Sequence, residues 1–153
     1  ADHDLTPFLK YALAGIEVQC GLLFEEIRQH VAKALFRNTV TDLFGRLRSP
    51  RKRVMSARHV QLLNLLLDEG ELQLPMLTEK TRHLYSVKNP FKALTRDLTY
   101  LIRLQAVRVR REGTDGDWLL AVDLEWPTRI TEAEFFKQMK DLPKAKVHGF
   151  LSG

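Results

Sequence analysis

Histidine, cysteine and carboxylate side chains are the usual carriers of chemistry, and in this chain they are scattered. The five histidines (His3, His30, His59, His83 and His148) lack the short spacings that hold a zinc ion. His59 and His83 read most simply as surface or helix-packing residues. The single cysteine, Cys20, excludes an internal disulfide and any Cys-rich metal site. It lies on an apolar stripe and reads as a small buried hydrophobe rather than a nucleophile. Asp115 and Asp117 sit in a glycine-containing turn, where two mobile carboxylates make poor general acids. Gly113 and Gly116 flank acids, which would repel a phosphate, and no Gly-x-Ser-x-Gly elbow occurs. The expectation is a chain that is not itself an enzyme, with no cofactor and no metal.

Binding chemistry has a clearer signal. Of the net charge of +5, residues 46–58 alone carry +6, through Arg46, Arg48, Arg51, Lys52, Arg53 and Arg58 with no acid. Residues 80–111 carry nine Lys or Arg against the single acid Asp97. The other stretches are negative: −2 over 1–45, −4 over 59–79 and −3 over 112–153. Positive charge gathered into two blocks is a footprint for a polyanion; a solvated surface is the plain alternative.

The 153 residues suit one average domain or two small ones, and 44% apolar with 28% charged is ordinary globular composition. No apolar run reaches the roughly 18 residues that would cross a bilayer; the longest, around Leu62–Leu67, is broken by Asn64. No basic region followed by an apolar one opens the chain, so there is no sign of export, and one cysteine fits the reducing cytoplasm.

Thr6-Pro7 starts a helix, with a hydroxyl to cap it and proline in its first turn. Leu9, Leu13, Ile16, Cys20, Leu23, Ile27, Val31 and Ala34 then recur in steps of three and four, which puts one stripe on a long helix. Asn38-Thr39 is expected to interrupt it, with Val40, Leu43, Phe44 and Leu47 on a shorter helix beyond. The stripe needs the rest of the fold, a second copy or another domain to cover it. Ser49-Pro50-Arg51-Lys52-Arg53 reads as a linker and domain boundary. Ser56 then caps a helix carrying Val60, Leu63, Leu66 and Leu67, and Gly70 ends it. A poorer helix covers about 76–85. A third runs from about Pro90 to Leu104 with Asn89 as its cap. After it the period changes to two. Val107–Arg110 and Trp118–Leu124 flank a turn cluster and form a β-hairpin. Thr131 and Glu134 have capping-box spacing ahead of a last helix that Pro143 stops.

The fold class is therefore mainly α with a small β-hairpin: a winged helix-turn-helix preceded by a long helical segment. The expected divisions are 1–48, a helical packing or dimerisation arm; 49–125, the winged helix-turn-helix; and 126–153, a C-terminal helix and tail. In such a module the third helix enters the major groove and the hairpin flanks it. Its outward residues are expected to be Lys88, Asn89, Lys92, Thr95, Arg96, Thr99, Tyr100 and Arg103. Arg108, Arg110 and Arg111 stand at the base of the wing, and Arg51, Lys52 and Arg53 add a linker contact. Plainer roles compete: an Arg96–Asp97 ion pair, Arg103 against the helix dipole, and Tyr100 in the core.

Two stretches resemble known sequence patterns. Asp4-Leu5-Thr6-Pro7-Phe8-Leu9-Lys10-Tyr11-Ala12-Leu13-Ala14-Gly15-Ile16 resembles the helix that follows the catalytic core of Fic-family proteins. Ala93-Leu94-Thr95-Arg96-Asp97-Leu98-Thr99-Tyr100-Leu101 resembles the T-A-x-R-D-L-x-x-L pattern of the winged-helix domain that many of them carry, a pattern other bacterial regulators share. Ala93 and Leu94 depart from the family's usual Thr and Ala. The family transfers a nucleotide monophosphate, usually AMP, to a protein hydroxyl, using His-Pro-Phe…Gly-Asn-Gly-Arg. Neither half of that motif occurs here, nor the inhibitory Ser/Thr-x-x-x-Glu-Gly/Asn motif. The resemblance implies a C-terminal DNA-binding or regulatory module without the catalytic residues. The alternatives are a module that recognises a protein target or restrains the catalytic domain, and a free-standing bacterial transcription regulator paired through its N-terminal helix. Double-stranded DNA is the leading partner; a homodimer is possible in the third case, and no membrane contact is expected.

Overall fold

Proline at the head of a helix and glycine past its end set several boundaries of the fold. The computed structural model describes residues 4–47, 50–113 and 116–141, with backbone alone for 50–54 and 141. Helix α1 spans Thr6–Gly45, α2 Pro50–Glu69, α3 Leu74–Thr81, α4 Pro90–Arg103, α5 Trp126–Arg129 and α6 Glu132–Asp141. The strands are β1 (Leu72–Gln73), β2 (Val107–Arg111) and β3 (Trp118–Val122). Pro50, Pro75 and Pro90 all fall in first turns, where no backbone donor is lost. Gly70 ends α2 at φ +81°, donating its N–H to Leu66 O at 3.0 Å. Asn89 caps α4 by accepting from the Lys92 N–H at 3.0 Å. Thr131 caps α6 in the same way, accepting from Glu134 at 3.2 Å.

The strands make one antiparallel sheet in the order β1-β3-β2. Val107 faces Val122 and Arg111 faces Trp118 across the hairpin, while Leu72 faces Leu120 on the other side. Helix–strand–helix–helix–hairpin, with the short first strand beside the last, is the winged helix-turn-helix arrangement. The first strand was not foreseen, because two residues carry no period to read.

Contacts divide the chain into two units, Ala1–Ala34 and Leu35–Gly153. In the first unit, Leu9, Leu13, Ile16, Leu23 and Ile27 are all exposed, and so is Cys20, which corrects its reading as a buried residue. Phe8, Tyr11, Val18 and Leu22 are exposed as well, so apolar side chains are not confined to a single stripe. The second unit contains the core, built on Leu62, Leu63, Leu66, Leu94, Leu98 and Leu101.

Several expected boundaries are corrected. Asn38-Thr39 lies inside α1, and the division falls at 34/35 rather than 48/49, because Phe36, Val40, Leu43, Phe44 and Leu47 belong to the core. Pro50–Arg53 is the first turn of α2 rather than a linker; a proline that stops one helix is equally able to start the next. Ser56 is therefore within the helix, and its hydroxyl donates to Phe44 O at 3.2 Å instead of capping. Trp126, Phe135 and Met139 lie in the same core, so 126–141 is part of the winged-helix unit and not a separate tail. Aromatic edges join these parts: Phe44 meets Phe135 at 5.0 Å and Phe36 meets Trp126 at 5.8 Å between ring centres. Among the described residues no helix is long and apolar enough to cross a membrane.

This partition has a measurable consequence. Leu98→Ala should lower stability by about 3 kcal/mol, the cost of a cavity in a packed core. Leu13→Ala in the exposed first unit should change it by less than about 0.5 kcal/mol. Urea unfolding followed by circular dichroism checks both.

Candidate nucleic-acid interface

Helix α4 places the candidate residues, and its burial pattern sorts them. Leu94, Asp97, Leu98 and Leu101 follow the i, i+3, i+4, i+7 rule and face the core. Asp97 is therefore the one charged residue on an apolar face. It is fully buried, and its carboxylate is held from α2 and from the segment that precedes α4. Arg58 Nε of α2 donates to Asp97 Oδ2 at 2.9 Å, and the Tyr85 hydroxyl donates to the same oxygen at 3.1 Å. His59 Nε2, also fully buried, lies 3.6 Å from Oδ1, beyond hydrogen-bond reach. Arg96, the sequence neighbour, comes only to 3.8 Å and stays half exposed. The pair that matters is therefore Arg58–Asp97, across 39 residues of sequence.

Burial pushes the Asp97 carboxyl up, but His59 and Arg58 beside it outweigh that and hold it below the usual carboxylate range. Burial, with the charge of Asp97 and the hydrogen bond to it, pushes the Tyr85 phenol well up, so it remains a donor. Arg58 also lies 5.4 Å from the centre of the Tyr85 ring.

The outward face of α4 is shorter than the sequence implied. Lys88, Asn89, Lys92 and Arg96 are exposed together around its first half. Among the described residues neither Lys88 nor Lys92 is held in an ion pair. Thr95, Thr99 and Tyr100, expected to face outward, are buried. Both threonines satisfy their hydroxyls within the helix: Thr95 donates to Lys92 O at 3.0 Å and Thr99 to Thr95 O at 2.7 Å. Tyr100 packs edge-on against His59 at 5.9 Å, and His59 in turn against Phe44 of α1 at 5.8 Å. Its plainer role, in the core, is the one observed. Arg103 is exposed in the last turn.

The wing is cationic but not unpaired, against the expectation of freely available arginines. Arg110 makes a two-pronged pair with Glu71, its Nε donating to Oε1 at 2.5 Å and its Nη2 to Oε2. Arg108 Nε lies 4.0 Å from Asp123, whose other oxygen is taken by Arg129. Arg111 lies 5.5 Å from the Trp118 ring centre and donates to Gly116 O at 3.2 Å. The side chains of Arg51, Lys52 and Arg53 lie outside the described residues, although their backbone forms the first turn of α2. His3, His148 and Asp115 also lie outside the described residues. Among those described, no three His, Cys, Asp or Glu side chains gather as a metal would require.

Sequence reasoning missed Arg58, Tyr85, Glu71, Asp123 and Arg129 as partners. Only Asp97 was findable, from its place on the apolar period of α4. The others are set by tertiary pairing between elements. No family model, curated protein or solved structure matches the chain.

Removing the buried charge should be costly, because Arg58 loses its counter-ion and Tyr85 a charged acceptor. Asp97→Asn is expected to lower stability by about 3 kcal/mol at neutral pH. A carboxyl held low in the folded state stabilises fully above the ordinary value of about 3.9. That contribution disappears as pH falls through the lower folded value. Denaturation curves of the two proteins should therefore converge on acidification, and a gap that persists in acid would contradict this role.

Proposed function

We infer that residues 35–141 form a winged helix-turn-helix module that binds duplex DNA through the first half of α4. The observation that carries this reading is a separation of charge. Lys88, Lys92 and Arg96 are exposed around the start of α4, while Asp97, the only acid in 80–111, is buried and neutralised from within. The outer surface there keeps its positive field, and the N-terminal end of the helix adds its own partial charge. Lys88 and Lys92 suit phosphates; Arg96, with its planar fork, suits a guanine edge. The footprint is narrower than the full helix, since Thr95, Thr99 and Tyr100 are taken by packing.

The resemblance of 4–16 and 93–101 to Fic-family sequences supports placing this module in a regulatory C-terminal region of such a protein. The chain then contributes recognition and no nucleotide transfer. A second reading, a module that recognises protein, is favoured by one observation. Arg108 and Arg110 already face acids of the same chain, which leaves a mixed-charge wing.

Titration of the chain against a random-sequence duplex by fluorescence anisotropy separates the two. DNA binding should weaken steeply as salt rises, as phosphate neutralisation requires. Lys92→Ala with Arg96→Ala should cost about tenfold or more in affinity and flatten the salt slope. An unchanged titration removes α4 as the reader. No binding at low salt favours the protein-contact reading.

A further inference from the structure

The outer face of the sheet carries an ion pair that reaches from one edge strand to the other. Arg110 sits on β2, opposite Leu119 of the central strand β3, and Leu119 lies opposite Gln73 of β1. Glu71 stands two residues before Gln73, at the entrance to β1. The Arg110 side chain therefore crosses β3 to deliver both prongs of its guanidinium to one carboxylate. Two parallel N–H donors aimed at two oxygens is also the geometry in which arginine takes a phosphate. Neither partner is sequestered: Arg110 is 61% exposed and Glu71 34%.

We propose that Glu71 is an intramolecular clamp on the wing, occupying Arg110 with a carboxylate that a DNA phosphate must displace. This rests on the DNA-binding reading and adds a restraint to it. An exposed pair of this kind is weak and screened by salt, so a polyanion is able to compete for the arginine. The Glu71 carboxyl is held below its usual range, chiefly by its hydrogen bond to Arg110, so it is charged at neutral pH and the clamp is closed when DNA arrives. With Arg110 released, the wing gains one phosphate contact beside those of α4. Clamping thus lowers affinity for any sequence alike and leaves discrimination to Arg96.

The test compares the full chain with Glu71→Gln, Arg110→Ala and the double variant, titrated against one random-sequence duplex between about 50 and 200 mM salt. Glu71→Gln should bind more tightly, because no ion pair has to open before Arg110 meets a phosphate. Its advantage should shrink as salt rises, because the pair that it removes is exposed and screened by salt. In the Arg110→Ala background Glu71→Gln should change nothing. A gain that survives in that background means that Glu71 merely repels DNA, and overturns the clamp. If wild-type binding depends on Lys92 and Arg96 but Glu71→Gln has no effect, the clamp falls and the DNA reading stands. If none of the proteins binds at the lowest salt, both fall. Thermal melts confirm that each variant folds. Phenylglyoxal modification read by mass spectrometry follows Arg110 without DNA: it should react faster in Glu71→Gln, and equal rates would contradict the clamp.

Discussion

One buried carboxylate organises this molecule. Asp97 sits where the period of α4 demands an apolar side chain, and it is kept there by Arg58 from α2 and Tyr85 from the segment between α3 and α4. A charge withdrawn from water at that depth is tolerated only when paired and hydrogen-bonded. The pairing therefore fixes how α4 is rotated against α2. That rotation in turn decides which residues of α4 meet solvent. With Asp97 inward, the position beside it, Arg96, is turned out, and Lys92 lies one turn earlier on the same side. The proposed DNA-binding surface follows from the orientation that the buried pair imposes.

The same rotation explains why the surface is short. His59, next to Arg58, packs between Tyr100 of α4 and Phe44 of α1, and Phe44 continues to Phe135 of α6. The later half of α4 is thereby committed to packing. Elements outside the winged-helix core, the end of α1 and α6, contribute to that packing and belong to the same folded unit. Glu71 and Asp123 impose a similar economy on the wing, where arginines that would otherwise stand free are tied to the sheet that carries them.

Much of the fold was legible in the sequence because its signals are local. The Asn89-Pro90 start of α4, the stop at Gly70, the Thr131 cap and the change of period at Val107 depend on neighbouring residues, and each is found in the structure. What failed was set over long distances or by competing rules. Pro50 was read as part of a linker when it begins α2. Asn38-Thr39 are poor helix formers, yet the packing of Phe36, Val40 and Phe44 carries the helix through them. Thr95 and Thr99 look like phosphate donors in a list of side chains, but their hydroxyls bond to the preceding turn and their methyls suit burial. Of the candidate interface, the lysines and Arg96 were readable from helix phase. The ion pairs that limit the wing arginines were not, because nothing in a sequence tells Arg110 that Glu71 stands across the sheet.

The central claim is that the chain meets DNA with the first half of α4. Amide resonances followed by NMR as duplex DNA is added locate the contact without altering any residue. The account predicts that the largest shifts fall on Lys88–Arg96 and on the wing near Arg110, with Leu5–Ala34 unmoved. Shifts confined to the exposed apolar helix of the first unit, or none at low salt, would contradict it.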